Sequence, residues 1–128
     1  LNGAGQNPPL IFKEETMQIL SLKVGDTTYT TGRATAYLAR KALEINRKTI
    51  EMAKKATEIK GGGADLDAVD SLMAQMEELS NLKSWIVCQI YGEKFTVEQL
   101  ENSLTAEELT AEVQRVTQAI MGIIPKNG

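Results

Sequence analysis

Histidine is absent from this sequence of 128 residues, which removes the usual general base, the commonest metal ligand and the side chain that titrates nearest neutral pH. Cys88 is the sole cysteine, so no internal disulfide can form and a reduced compartment is the natural setting. Aromatic residues make up only 5% against 42% apolar residues overall. A core must then be built from Leu, Ile, Val, Met and Ala, which favours helices over a sandwich. No apolar run approaches the roughly 20 residues of a membrane-spanning helix, and the opening residues lack the basic-then-apolar pattern of a secretory signal. A soluble protein of one domain is expected.

What the chain does have is an uneven distribution of charge beneath a net value of −3. From Arg33 to Lys60 eight Lys or Arg stand against three Glu, whereas from Gly61 onward four stand against eleven Asp or Glu. Such asymmetry points either to nucleic acid or to attraction between the two halves, within one chain or between copies. Arg33, Arg40, Arg47 and Lys54 form a stripe with Lys41, Lys48 and Lys55 beside it. Glu44, Glu51 and Glu58 interrupt that stripe, Glu44 to Lys48 and Glu51 to Lys55 are well-oriented i, i+4 pairs, and no aromatic residues interleave for base stacking. A salt-bridged helix face is the primary reading; a small nucleic-acid-binding regulator using the basic helix from Arg33 to Lys60 is the alternative.

Residues 1–16, with Gly3, Gly5, Asn7, Pro8 and Pro9, read as a flexible leader or an expression remnant, or as an ordered strand at Leu10 to Phe12. A single helical domain with an N-terminal hairpin is expected over 17–124, and a tail over 125–128. Leu20, Leu22 and Val24 alternate ahead of Gly25-Asp26, then Thr27 to Thr31 surround Tyr29. This is a β-hairpin pattern with a type II′ turn. A lone two-stranded hairpin is marginal in water, so it must lie on the helices or join a sheet in a neighbouring copy.

A helix follows from about Thr35 to Ile59, whose residues Leu38, Ala42, Ile45, Thr49, Met52, Ala56 and Ile59 trace a heptad seam. Gly61-Gly62-Gly63 ends it. A second long helix runs from about Asp65 to Tyr91 and stops at Gly92. Leu66, Val69, Met73 and Met76 form one stripe on it, and Leu79, Leu82, Ile86 and Ile90 another, so it meets more than one neighbour. From Phe95 to Leu109 the chain writes two capping boxes in succession. Thr96 pairs with Gln99 and Phe95 with Leu100; Thr105 pairs with Glu108 and Leu104 with Leu109. A short helix over about Val97 to Asn102 and a C-terminal amphipathic helix over about Ala106 to Ile123 result. The fold class is mostly α: two long helices, a short helix and the C-terminal helix, plus the hairpin.

Chemistry finds no foothold in these residues. Cys88 has no base and lies between Val87 and Ile90 on a helix, where a thiol packs as a small hydrophobe. Glu77-Glu78 and Glu107-Glu108 fit a solvated acidic face, and the triple glycine has neither the preceding strand nor the following Gly-Lys-Ser/Thr of a phosphate loop. No enzyme, cofactor or metal is expected. The candidate interaction or packing residues are Leu22 and Tyr29 on the hairpin, Leu38, Ala42, Ile45 and Met52 on the first long helix, and Met73, Met76 and Trp85 on the second.

Four features together resemble the tail assembly chaperones of long-tailed bacteriophages and prophages, of the Gram-positive host type. They are the opening hairpin; Ala39-Arg40-Lys41-Ala42-Leu43-Glu44-Ile45; Trp85 to Tyr91 ahead of Gly92-Glu93-Lys94-Phe95-Thr96; and Leu104-Thr105-Ala106-Glu107-Glu108-Leu109 before the last helix. The likeness covers about Met17 to Gly122; the stretch from Ala53 to Leu82 is longer than in compact members, and residues 1–16 have no recognised counterpart. The resemblance implies a non-enzymatic chaperone in the host cytoplasm, absent from the mature virion, that holds the tape measure protein soluble and helps recruit tail tube protein. It also implies a homo-oligomer and, with Lys126-Asn127 as the place of a slippery codon run, a longer frameshifted product that contacts the tube protein.

Overall fold

The computed structural model describes residues 18–62 and 65–122. The expectations for the leader, for Gly63, for the end of the last helix at Ile123 and for the tail with Lys126-Asn127 lie outside the described residues.

Two antiparallel strands open the described chain, β1 (Ser21–Val24) and β2 (Thr27–Thr30), paired Ser21 with Thr30 through Val24 with Thr27. Gly25 takes φ +65° while Asp26 stays at negative φ, the combination a type II′ turn requires. At the open end the Leu20 N–H donates to Thr31 Oγ1 at 3.0 Å and the Thr31 N–H to the Leu20 carbonyl at 2.9 Å. Of the two placements open to the hairpin, this structure shows it lying on the helices: Leu20 and Val24 are buried in the common core, and Leu22 and Tyr29 pack against it.

Helix α1 (Ala36–Lys60) is capped by Thr35, whose hydroxyl accepts from the Leu38 N–H at 3.2 Å. Helix α2 (Leu66–Ile90) is capped by Asp65, which accepts from Ala68 at 2.8 Å. It ends in a Schellman motif, with the Glu93 N–H on the Cys88 carbonyl and the Gly92 N–H on the Gln89 carbonyl; Gly92 and Glu93 both take positive φ. Two short connections bring in α3 (Val97–Ser103) and α4 (Ala106–Met121), and both capping boxes are fully made. Phe95 and Leu100 are buried together in the core, and α4 closes on Gly122 in the left-handed conformation.

The long helices form an antiparallel pair; α4 packs on both, α3 packs on α2, and β1 touches α3. Burial is concentrated at one end of this arrangement. On α1 the fully buried residues are Leu38, Ala42 and Ile45, and on α2 most lie between Ser84 and Ile90. Val113, Val116 and Ile120 of α4 close the core over them. The heptad seam of α1 therefore divides: its first three positions are buried, Met52, Ala56 and Ile59 are half-buried, and Thr49 is exposed with its hydroxyl on the Ile45 carbonyl. One expected pair is not formed. Lys48 does meet Glu44 at 3.0 Å, but Lys55 turns across to α2 and donates to Gln75 Oε1 at 3.1 Å rather than to Glu51, because the seam brings α2 within reach of that edge of α1.

Candidate functional site

The helices differ in length, and the difference shapes the surface. With 25 residues each, α1 and α2 extend about 37 Å, whereas the 16 residues of α4 extend about 24 Å. Helix α4 begins partway along the pair, so the distal part of both long helices projects past it as a two-helix arm. Where α4 starts, the three helices diverge around an elongated groove of about 620 Å³. Ile45 and Met52 of α1, Met76 and Leu79 of α2, and Leu109 and Val113 of α4 give it an apolar floor. The lining on α1 runs from Ile45 to Ala56, which is about three helical turns.

The groove continues onto the arm along α2. At its base this helix is covered on one face: Ser84 donates to Glu101 of α3 at 2.7 Å, and Tyr91 donates to Glu112 of α4 at 2.9 Å. Counting back from Ser84 by three or four residues along that face gives Ser80, Met76, Met73, Val69 and Leu66. Ser80 and Met76 line the groove, and along this face Met76 is 49%, Met73 63% and Leu66 85% exposed, with Val69 half-buried between them. On α1 a second exposed stripe, Leu43 and Ile50 seven residues apart, lies on the side turned away from the seam.

The residues singled out from the sequence fall into three groups. Leu38, Ala42 and Ile45 are buried, although Ile45 also reaches the groove, and Leu22 and Tyr29 pack on the core, Tyr29 against Phe95 with ring centroids 5.0 Å apart. Trp85 is half-buried and meets Tyr37 edge-on at 6.1 Å. Met52, Met73 and Met76 belong to the groove or its extension. Periodicity alone did not bring out Leu43, Ile50, Lys83 or Glu112. Lys83 sits four residues after Leu79 and three before Ile86, on the apolar stripe, and that spacing was the available signal for its half-buried place in the groove.

Glu44 holds both Lys48 and Lys41, at 3.0 and 3.3 Å, and hydrogen bonds from Lys48 first and Lys41 second keep its carboxyl below the usual range. Part of the basic stripe is thus engaged by the chain itself. Burial lowers the affinity of the Lys83 amine for its proton, and burial pushes the Cys88 thiol up to about 11, helped by Glu101 and Glu93, so the cysteine stays protonated and inert. Among the described residues there is no group of three or more acidic or cysteine side chains able to hold a metal ion, and no helix long and apolar enough to cross a membrane.

The sequence profile of a family described as phage tail chaperone protein matches residues 12–127. That span takes in residues 12–16 and the whole stretch from Ala53 to Leu82. No curated protein and no solved structure matches the chain.

Proposed function

Because the chain belongs to the phage tail chaperone family, we propose that its groove and arm receive helical segments of the tape measure protein and keep that protein soluble during tail assembly. The observation that carries this reading is the set of exposed apolar side chains on α2, Met76, Met73 and Leu66, which prolong an apolar groove between three helices. An amphipathic helix lays its apolar stripe into such a groove, and methionines, flexible and polarisable, adapt to many sequences. A long helical partner presents the same kind of stripe repeatedly, so many weakly bound copies hold it by avidity.

In this reading the chaperone self-associates, works in the host cytoplasm and leaves before the particle is complete. It serves a long-tailed phage of the Gram-positive host type. A longer form, made by frameshifting near Lys126-Asn127, recruits the tail tube protein. The candidate residues then divide by role. Met52, Met73 and Met76 meet the partner, while Leu22, Tyr29, Leu38, Ala42, Ile45 and Trp85 hold the frame that presents them. Nothing in this scheme needs an enzyme, a cofactor or nucleic acid.

Co-expression with the tape measure protein of the same phage tests the reading. The tape measure protein is expected in the soluble fraction, co-purifying with the chaperone. A tape measure protein that stays insoluble whether or not the chaperone is present overturns it.

A further inference from the structure

Among the described residues, Lys83 is the single charged one in the lining of the groove, to which no Asp or Glu contributes. It is half-buried, and among the described residues it forms no ion pair. Its neighbour Ser84 donates to Glu101 Oε2 at 2.7 Å, so the carboxylate that α3 brings to this edge is held by a hydroxyl rather than by the amine. Thr49 and Thr117, also in the lining, turn their hydroxyls onto the Ile45 and Val113 carbonyls of their own helices. The remaining polar groups at the groove are short hydroxyls and amides, Asn46, Ser80, Thr110 and Gln114. The groove thus offers an occupant an apolar floor and one unpaired positive charge.

On that charge complementarity we propose that Lys83 reads the partner. The groove accepts an amphipathic helix that carries a carboxylate beside its apolar stripe, and the carboxylate pairs with the Lys83 ammonium as the helix seats. This inference rests on the reading that the partner is the tape measure protein, and adds to it a rule for which of its segments are bound. The physical reason is desolvation. An apolar helix laid over Lys83 strips water from the amine; without a carboxylate the buried charge opposes docking, and with one the pair forms where little solvent screens it. A segment bearing Lys or Arg at that position is rejected for the same reason. Burial already disfavours the charged amine in the empty groove, and the partner's carboxylate reverses that tendency.

The test uses the full chain and the tape measure protein of the same phage. Wild type, Lys83→Met and Lys83→Glu are compared for binding, with thermal unfolding as a check that each variant folds; Lys83→Met keeps the apolar stem and removes only the charge. Lys83→Met is expected to weaken binding about thirtyfold and Lys83→Glu more than about a hundredfold, the range for losing one member of a desolvated charge pair. Replacing the paired acidic residue of the tape measure protein by Lys should restore binding to Lys83→Glu. In parallel, a photo-crosslinking residue at Ala53, in the lining of the groove, should attach to the tape measure protein next to an acidic residue.

Tape measure protein bound equally by wild type and Lys83→Glu overturns the inference and leaves the function intact. Failure of the wild-type chain to bind it overturns both. A crosslink to residues 1–17 of the same chain, or to a second copy, assigns the groove to that occupant and overturns the inference.

Discussion

The hydroxyl of Tyr91 donates a 2.9 Å hydrogen bond to Oε2 of Glu112, joining the last residue of the α2 cap to the middle of α4 in the buried interior. The other carboxylate oxygen of Glu112 accepts from Arg115 at 2.6 Å, and Arg115 also donates to the Ser21 carbonyl at 2.9 Å. One buried acid therefore ties the end of a long helix, the closing helix and the start of the hairpin into a chain of polar contacts.

Removing either end of the Tyr91 bond leaves a buried polar group or a hole. Tyr91→Phe is expected to lower stability by about 1–2 kcal/mol, and Glu112→Ala by about 3 kcal/mol because Tyr91 loses its acceptor and Arg115 keeps only the Ser21 carbonyl. The double variant should cost less than the sum. Urea unfolding of the four proteins measures this, and strict additivity would mean that the two side chains do not depend on one another.

Stability should also fall in alkali. Burial raises the Cys88 thiol from 9.0 to about 11, and burial, then the bond to Glu112, raises the Tyr91 phenol above its ordinary 10.0. Both groups are uncharged in the folded state and resist losing their protons. Their contribution is therefore complete below the ordinary values and is lost as pH rises through the folded ones. Stability should hold up to about pH 9, then decline between 9 and 11 as Cys88 comes into play, with Tyr91 adding to the decline from about pH 10 upward. A decline of the same slope in Cys88→Ala would refute the assignment to the thiol.

Each capping threonine accepts from a backbone N–H that has no partner within its own helix, Thr96 from that of Gln99 at 3.0 Å and Thr105 from that of Glu108 at 3.1 Å. Thr96→Ala and Thr105→Ala should each cost about 1 kcal/mol. Chemical denaturation should show a lower midpoint at unchanged slope.

Core and arm should respond oppositely to substitution. Leu100 is fully buried, so Leu100→Ala should cost roughly 2–5 kcal/mol. Met73→Ser, on an exposed residue, should change stability by no more than about 0.5 kcal/mol yet reduce the soluble yield of co-expressed tape measure protein. An unchanged yield would remove Met73 from the binding surface.

The opposed charge of the two halves suggests that copies attract one another through them, so assemblies should loosen in high salt. Light scattering across a salt series checks this, and a constant mass would rule the mechanism out.

Much of the frame was legible because its signals are local. Thr96 and Thr105 each cap a helix through a partner three residues on, Gly25 marks the turn and Gly92 a stop, whereas the caps at Thr35 and Asp65 and the left-handed Gly122 that ends α4 sit at or inside helix bounds read only approximately. What escaped depends on where a distant element ends. The seam of α1 reads evenly from Leu38 to Ile59, and only the starting point of α4 decides which of its positions are fully buried. Glu112 reads as one more acid of an acidic helix, although it stands three residues from Leu109 and four from Val116, on the face that enters the core. Leu72 fell between the two stripes of α2 and is buried nonetheless, because α2 drifts around its partner and the seam passes through it. Lys83 was hidden in the same way, a charge on an apolar stripe whose meaning depends on the opening beside it.

The length mismatch between α4 and the long helices also sets a gradient of cohesion along the molecule. At the base every helix has at least two neighbours, whereas toward the tip, among the described residues, α1 and α2 meet chiefly each other, through half-buried residues such as Ile59 and Val69. Amide protons over residues 55–60 and 66–72 should therefore exchange through local opening, long before those of residues 84–90, which wait for the whole domain to unfold. The end of the molecule proposed to meet a partner can come apart and re-form while the rest stays folded.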